Sequence, residues 1–485
     1  MAVVTTKEIL SATGGRVLSG RPDDTLFAGI SIDSRNIGEG ELFIALRGQT
    51  FDGHHFLADA MKKGSGAVVS DCSKVHLGGK TIVCVKDTLK ALHDIARSIR
   101  LRRRLAVAGI TGTNGKTTTK ELAASILGMK HRVMKNPGNL NNRIGLPLSL
   151  TRVKEGDEFA VLEMGASMKG DILELCDIAL PDYGVITNIG PGHLEGFGDL
   201  DTVRKTKLEL LDAVKMIVLN ADDCFLMEGV SQRLDGKKPD LITFGIENSA
   251  DVYARDITLD DRRSVFDLCV QRQCVKVAIN VSGRFNIYNA LAAAALCHGL
   301  GLELEDIKSG IELFKGVPMR LELKELFGAT VLSDAYNANP VSMEEAVREL
   351  VRQRKKRAVA VLGDMLELGA YADEAHRKLG RWMAKFPVDV FVAVGGLMAK
   401  AAEEFSAARQ EHSGLVSEPC CIMAVPDSCE AEKILPGLCR EGDTVLVKGS
   451  RAMHMEKVLE NGRGISPECR RDAVGGPVSR VKNAL

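Results

Sequence analysis

Residues 105–119 read LAVAGITGTNGKTTT, and the fold class turns on this stretch. An apolar, strand-like run, LAVAGI, passes directly into a Gly/Thr-rich turn and then into a helical stretch beginning near Lys116. Successive backbone N–H groups of such a turn point inward and cradle phosphate oxygens, and the helix N-terminus adds positive potential. Gly112 and Gly115 suit a backbone that must approach its ligand closely. With Thr113, Asn114 and Thr118 they form a candidate ATP cradle. In it Lys116 would reach the β- and γ-phosphates and the Thr117 hydroxyl would ligate Mg²⁺. The strict pattern G-x-x-x-x-G-K-[ST] is not met, since Ile110 occupies its first glycine position. The strand–loop–helix context favours nucleotide binding over a plain turn. The loop alone does not separate a kinase, a switch, a motor and a ligase.

Downstream, the apolar runs FAVLEMG, YGVITNIG and KMIVLN alternate with helical patterns, which argues for a parallel α/β sheet. Around residues 251–281 three β-like segments follow one another as an expected antiparallel flank, and the alanine-rich helix NIYNALAAAALCHGL closes the block. Upstream, LFAGISID, ELFIALRG, GAVVS and TIVCV are short strand-like stretches before the helical DTLKALHDIARSIR. From about Gly316 the α/β rhythm resumes through ATVLSDAY, AVAVLGDM, VDVFVAVGG and DTVLVKGSR. The expected fold class is α/β with three domains. They are a small mixed α/β N-terminal domain (1–100), a central phosphate-loop parallel-sheet domain (101–315) and a C-terminal Rossmann-like domain (316–460). Residues 461–485 read as a flexible tail. The basic runs Arg100–Arg104 and Arg352–Arg357 read as solvated helix ends rather than nucleic-acid contacts.

Lys+Arg and Asp+Glu both number 64, so no net charge draws the chain to nucleic acid or an acidic membrane surface. The twelve cysteines are scattered, the closest being Cys420–Cys421 and Cys269/Cys274, and no C-x-x-C pair offers zinc-ligand spacing. They read as reduced thiols, mostly in the core. MAVVTTKEIL lacks a basic-then-apolar signal, and no apolar run reaches the ~20 residues of a membrane span. A cytosolic chain is expected.

Further motifs follow the loop: NPGNLNNRIGLP at 136–147, VLEMGAS at 161–167, TNIGPGHLEGFG at 187–198, GRFNIYNALAA at 283–293, MRLE at 319–322, DAYNANP at 334–340 and VKGSRAMHMEKV at 447–458. In this order, and over nearly all of the chain up to about residue 460, they resemble the Mur ligase family and its folylpolyglutamate synthetase relatives. Within the family, DAYNANP and GDMLELG (363–369) look like the branch that adds D-alanyl-D-alanine. The Asp-Asn-Pro-Arg signature usual in the branch adding a single diamino acid is absent.

The resemblance implies an ATP-dependent peptide ligase of peptidoglycan-precursor synthesis. It would join UDP-N-acetylmuramoyl-tripeptide to D-alanyl-D-alanine through an acyl phosphate, giving the pentapeptide, ADP and phosphate. Such a chain would act in the bacterial cytoplasm as a monomer on small molecules, away from nucleic acid and membrane. The first domain would bind the UDP substrate, the second ATP and the third the acceptor. Glu163 matches a Mg²⁺ ligand beside Thr117, since a carboxylate at a strand tip is expensive to bury unless a cation faces it. His193 matches a ligand of a second Mg²⁺. Lys207 matches the lysine that the family carbamylates into an oxygen donor, with Lys205 as the nearby alternative. Asn286 and Asn289 match positions near the adenine. Arg320 matches the arginine that reaches the γ-phosphate from the third domain, and Asp334 a nucleotide-contacting acid with Tyr336, Asn337 and Asn339 beside it. Ser34 and Arg35 in SIDSRNI match the motif that holds UDP, and Asn139, Asn141 and Asn142 stand where the family meets the nucleotide sugar. Blander readings stay open: helix caps or turn formers for the asparagines, a loop residue for His193, a surface ion pair for Arg320. The implied catalytic set is Lys116, His193, Lys207 and Arg320, assembled by domain closure.

The nearest rival is a Mur or folylpolyglutamate-type ligase with another amine acceptor. A guanine-specific switch would carry Asn-Lys-x-Asp, which is absent. An inactive scaffold would not need Lys116, Glu163, His193 and Lys207 together.

Overall fold

The computed structural model describes residues 4–20, 25–48, 50–71, 79–233, 239–326, 328–411 and 420–460; the expected tail, 461–485, lies outside them. Besides a two-stranded antiparallel pair, Val4–Thr5 with Leu26–Phe27, three larger sheets follow one another along the described residues. The first runs, edge to edge, Arg16–Ser19, Thr81–Cys84, Gly66–Val69, Leu42–Ile44, Ile30–Ser31, with only the Arg16–Ser19 edge antiparallel. Helix Thr88–Arg102 leads out of it, started by Asp87, whose carboxylate accepts from the Leu89 and Lys90 amides.

The second sheet has nine strands in the order Gln273–Ile279, Ser264–Val270, Val252–Leu259, Asp240–Gly245, Met216–Asn220, Tyr183–Ile186, Ala106–Thr111, Phe159–Glu163, Val133–Lys135. Every neighbour is parallel except across the 252–279 flank, which is antiparallel as its pattern indicates. The Ala106–Thr111 strand lies between two later strands, so the chain order reverses at its C-terminal end, where open α/β sheets bind ligands. Helix Arg284–Gly299 is buried nearly all round. Its run of alanines lets it lie close against helix Lys116–Leu127 and the sheet beneath.

The third sheet orders Glu322–Leu326, Ala329–Asp334, Thr444–Lys448, Ala358–Gly363, Val390–Val394, Cys421–Val425, parallel but for its first pair. Strands Met216–Asn220 and Val390–Val394 are buried from end to end, as strands covered on both faces must be. Among the described residues no helix is long and apolar enough to cross a membrane.

Two expectations are corrected. The basic runs are only partly solvated: Arg102, Arg104, Lys355 and Lys356 are exposed, but other members fold onto neighbouring elements. Arg100 donates to the Ala179 and Leu180 carbonyls and pairs with Asp182 at 2.9 Å, closing the end of helix Asp171–Ala179. Arg352 pairs with Glu349 and reaches the Leu259 and Asp260 carbonyls and Ser282 Oγ of the central sheet domain. Arg357 pairs with buried Asp443. Sequence shows where a helix ends but not which neighbouring sheet its long side chains fold onto. The thiols are not all reduced either. The tight turn at Gln271–Arg272 sets Cys269 opposite Cys274 with Cα atoms 4.1 Å apart, and the two form a disulfide. Cys84 is also disulfide-bonded, whereas Cys176 and Cys297 are free and buried.

Helix Leu304–Glu312 meets helix Lys116–Leu127 so closely that a Cβ at Gly310 would stand 2.3 Å from Ile126 Cα. Gly310→Ala is expected to destabilise the central domain by about 1–3 kcal/mol, read from urea unfolding, because backbone cannot yield as a side chain would. An unchanged midpoint would show that the helices slide apart freely.

Candidate active site

The phosphate loop follows strand Ala106–Thr111, and helix Lys116–Leu127 begins at Lys116. Gly112 has φ +142° and a Cβ there would meet Thr187 Oγ1 at 1.9 Å; Gly115 has φ +84° and would meet Asn289 Oδ1 at 2.2 Å. Both positions therefore need glycine for conformation and for space. The neighbouring strand end holds the loop from outside. Thr187 Oγ1 donates to the Asn114 carbonyl at 2.6 Å, Asn188 Oδ1 accepts from the Asn114 amide at 2.9 Å, and the Thr113 amide donates to the Asn188 carbonyl at 2.9 Å. The Lys116 ammonium folds back to donate to the Gly112 and Thr113 carbonyls, both at 2.9 Å. Burial pushes its pKa down, with Glu163 opposing and Arg320 adding to the effect.

Thr117 Oγ1 donates to Glu163 Oε2 at 2.8 Å and accepts from Arg320 Nη2 at 3.2 Å. Glu163 is buried at the end of its strand and also accepts from Asn141 Nδ2 at 2.7 Å. Arg320 enters from the third sheet's side, its guanidinium 4.0 Å over the Tyr336 ring, and its buried Nε has no acceptor among the described residues. It is no surface ion pair. The same domain touches the loop again at Asn339, whose amide exchanges hydrogen bonds with that of Asn114 at 2.7 and 3.4 Å. These walls enclose a cleft of about 920 Å³.

The other expected residues fall as follows. Thr118, Asn286, Asn289, Asp334, Tyr336, Asn337, Asn139, Asn141, Asn142 and His193 line the cleft. Asn286 donates to the Ser282 carbonyl, and Asn142 Oδ1 accepts from the Ile144 and Gly145 amides at the start of helix Gly145–Leu150. Asp334 is held by Lys448 at 2.6 Å, a buried ion pair. His193 Nδ1 lies 2.6 Å from Glu367 of the third sheet's domain. Lys207 is buried behind the cleft wall with no hydrogen bond or ion pair among the described residues; burial, then Lys116 nearby, drives its ammonium pKa well down. Lys205 is exposed and paired with Asp201. Ser34 and Arg35 are not in the cleft wall; Arg35 is exposed and doubly bonded to Asp33, which it holds at about 2. Among the described residues no three His, Cys, Asp or Glu side chains stand at metal-binding distances.

Sequence reading assigned no role to Thr187, Asn188, Lys448 or Glu367. Thr187 and Asn188 had a signal, since they end the strand beside the loop and precede a Gly/Pro turn. Lys448 sits 114 residues from its partner, beyond any local pattern.

A phosphate loop at a sheet switch point, met by an arginine and an asparagine from a second doubly wound domain, defines an enzyme that acts on a nucleoside triphosphate at a site made by two domains. Known proteins sharpen that class. Residues 26–100 match the model described as Mur ligase family, catalytic domain; 110–297 the Mur ligase middle domain; and 319–451 the Mur ligase, glutamate ligase domain. The Bacillus subtilis UDP-N-acetylmuramoyl-tripeptide--D-alanyl-D-alanine ligase is 33% identical over 94% of this chain and 98% of its own length. Its Escherichia coli counterpart is 34% identical over 91% and 95%. A crystal structure of MurF from Acinetobacter baumannii superposes with TM-score 0.84 at 31% identity, covering 95% of this chain and 98% of that one. MurF from Thermotoga maritima in complex with ADP gives 0.76 at 30%, covering 89% and 96%. The chain belongs to the Mur ligase family and is an ATP-dependent ligase with the three-domain fold of that family.

Gly115→Ala is expected to weaken ADP binding, measured by calorimetry. The forced backbone and the Asn289 clash cost about 1–3 kcal/mol, a loss of about 5–150-fold. Undiminished affinity would mean that the loop does not hold the phosphates.

Proposed function

We propose that the chain joins the free carboxylate of UDP-N-acetylmuramoyl-tripeptide to the amine of D-alanyl-D-alanine, releasing ADP and phosphate, in the synthesis of a peptidoglycan precursor. The observation that carries the reading is Arg320 reaching Thr117 across the domain boundary, with a buried Nε that has no acceptor among the described residues. A donor so placed fits a transferring phosphoryl group. The named substrates come from relatives aligned over 91% and 94% of the chain.

A tripeptide carboxylate oxygen attacks the γ-phosphorus, the bond to ADP breaks, and an acyl phosphate forms. The neutral amine of the dipeptide then attacks the acyl carbon, phosphate leaves from the tetrahedral intermediate, and the nitrogen gives up one proton to solvent or the departing phosphate as the amide closes. Lys116 and Arg320 stabilise charge on the transferring group. Thr117 and Glu163 would hold one Mg²⁺ and His193 with a carbamylated Lys207 a second, and these ions supply charge neutralisation between nucleotide and carboxylate. Thr117 and Glu163 fit the first of these ions, presenting oxygen donors 2.8 Å apart. Lys207, buried and without a partner among the described residues, is an amine that CO₂ can convert to an anionic carbamate, whose charge a cation offsets.

In this reading residues 1–100 hold the UDP end, where the rigid fork of Arg35 suits diphosphate or uracil. Residues 101–315 hold ATP and 316–460 receive the dipeptide. The enzyme works as a monomer in the bacterial cytoplasm.

Phosphate release from purified protein given ATP, Mg²⁺, the tripeptide substrate and D-alanyl-D-alanine is expected to require all four, with a product heavier by the dipeptide. Release with another amine in place of the dipeptide would move the chain to a different acceptor. Arg320→Ala is expected to lower kcat by about 10²–10³-fold while ADP still binds, since its donors act on charge that develops at transfer. Unchanged kcat would remove Arg320 from the mechanism.

A further inference from the structure

We propose that Glu367 is a positioning residue for His193, a carboxylate lent by the third sheet's domain to orient a metal ligand of the central one. The inference rests on the reading of His193 as a ligand given above. A carboxylate only accepts hydrogen bonds, so with His193 Nδ1 2.6 Å from Glu367 Oε2 the imidazole proton sits on Nδ1. In the neutral ring Nε2, which has no partner among the described residues, then keeps its lone pair free for a cation.

The pairing is built rather than incidental. Both residues are in the left-handed region, His193 at φ 54° and Glu367 at φ 62°, a conformation that persists in such residues only where the surroundings impose it. The Glu195 amide donates to the Glu367 carbonyl at 3.1 Å, and a Cβ at Gly369 would stand 3.2 Å from Glu195 Cα, so the two loops are pressed together. On its far side the Glu367 loop is anchored in its own domain. The Met365 amide donates to His376 Nε2 at 2.9 Å and the Leu366 amide to Ser450 Oγ at 2.8 Å. Both His193 and Glu367 face the central cleft. When the domains part, His193 loses the group that fixes its tautomer and ring direction. Cation affinity at His193 is thereby tied to closure, and by linkage the cation favours the closed form.

The test is Mn²⁺ titration of the full-length chain, followed by electron paramagnetic resonance with a non-hydrolysable ATP analogue present. Two classes of bound ion are expected, and His193→Ala should lose the weaker. Glu367→Asn, a residue that tolerates the left-handed backbone but is one methylene short, should weaken that class by about 10–100-fold and leave the tighter class as it was. Glu367→Gln, whose amide oxygen can still accept from Nδ1, should lose less. Full binding by Glu367→Asn beside loss in His193→Ala would overturn the role of Glu367 alone. Both classes retained in His193→Ala would overturn the ligand assignment and this inference with it. Melting curves check folding. Should the Asn variant unfold, the Gln variant decides: weakening confined to the weaker class supports the role, and none overturns it.

Discussion

Thr117 Oγ1 is where three parts of the chain meet. A hydroxyl has one proton to give, and here it goes to Glu163 at the tip of the adjacent strand, while a lone pair accepts from Arg320. That arrangement requires an arginine from beyond the central domain to be held still, and the backbone around it shows how. Met319 and Leu321, on either side, are at φ 58° and 49°, a conformation that costs energy outside glycine. The cost is offset by the Met319 amide donating to Glu322, the Leu321 amide donating to Asp334, and the Tyr336 ring beneath the guanidinium. Asp334 is in turn fixed by buried Lys448, whose charge would be expensive to leave unpaired.

Closure is shared among unlike contacts. Leu194, Phe197 and Val203 of the central domain pack into the same apolar cluster as Met343, Leu362 and Met365 of the third sheet's domain. The Asn114–Asn339 amide pair adds direction without net charge, and Arg352 braces the end of strand Val252–Leu259 through two carbonyls and Ser282. Apolar burial favours contact in any orientation, whereas the amide pair and the arginine admit one. Loop chemistry and domain position are thereby coupled through Asn114 itself.

What sequence could show follows from the range of its signals. The phosphate loop was legible because strand, turn and helix are contiguous, and the α/β order because buried parallel strands read as apolar runs. The antiparallel flank at 252–279 announced itself by three strand-like segments without helices between. Contacts between distant segments were not legible. Lys448 with Asp334, Glu367 with His193 and Asn339 with Asn114 join residues that no local period links. For the same reason Arg100 and Arg352 looked like solvated helix ends, and Cys269 and Cys274 like reduced thiols until the hairpin register set them face to face. Asn142 serves the fold locally, its Oδ1 accepting from the Ile144 and Gly145 amides, and also lines the cleft.

The most direct test is a crystal structure of the full chain with a non-hydrolysable ATP analogue and Mg²⁺. The account predicts the Arg320 guanidinium within hydrogen-bond distance of the γ-phosphate, with Lys116 turned from the Gly112 and Thr113 carbonyls onto the phosphates. A nucleotide enclosed by residues 101–315 alone, with Arg320 away from it, would contradict the claim that the site is made by two domains.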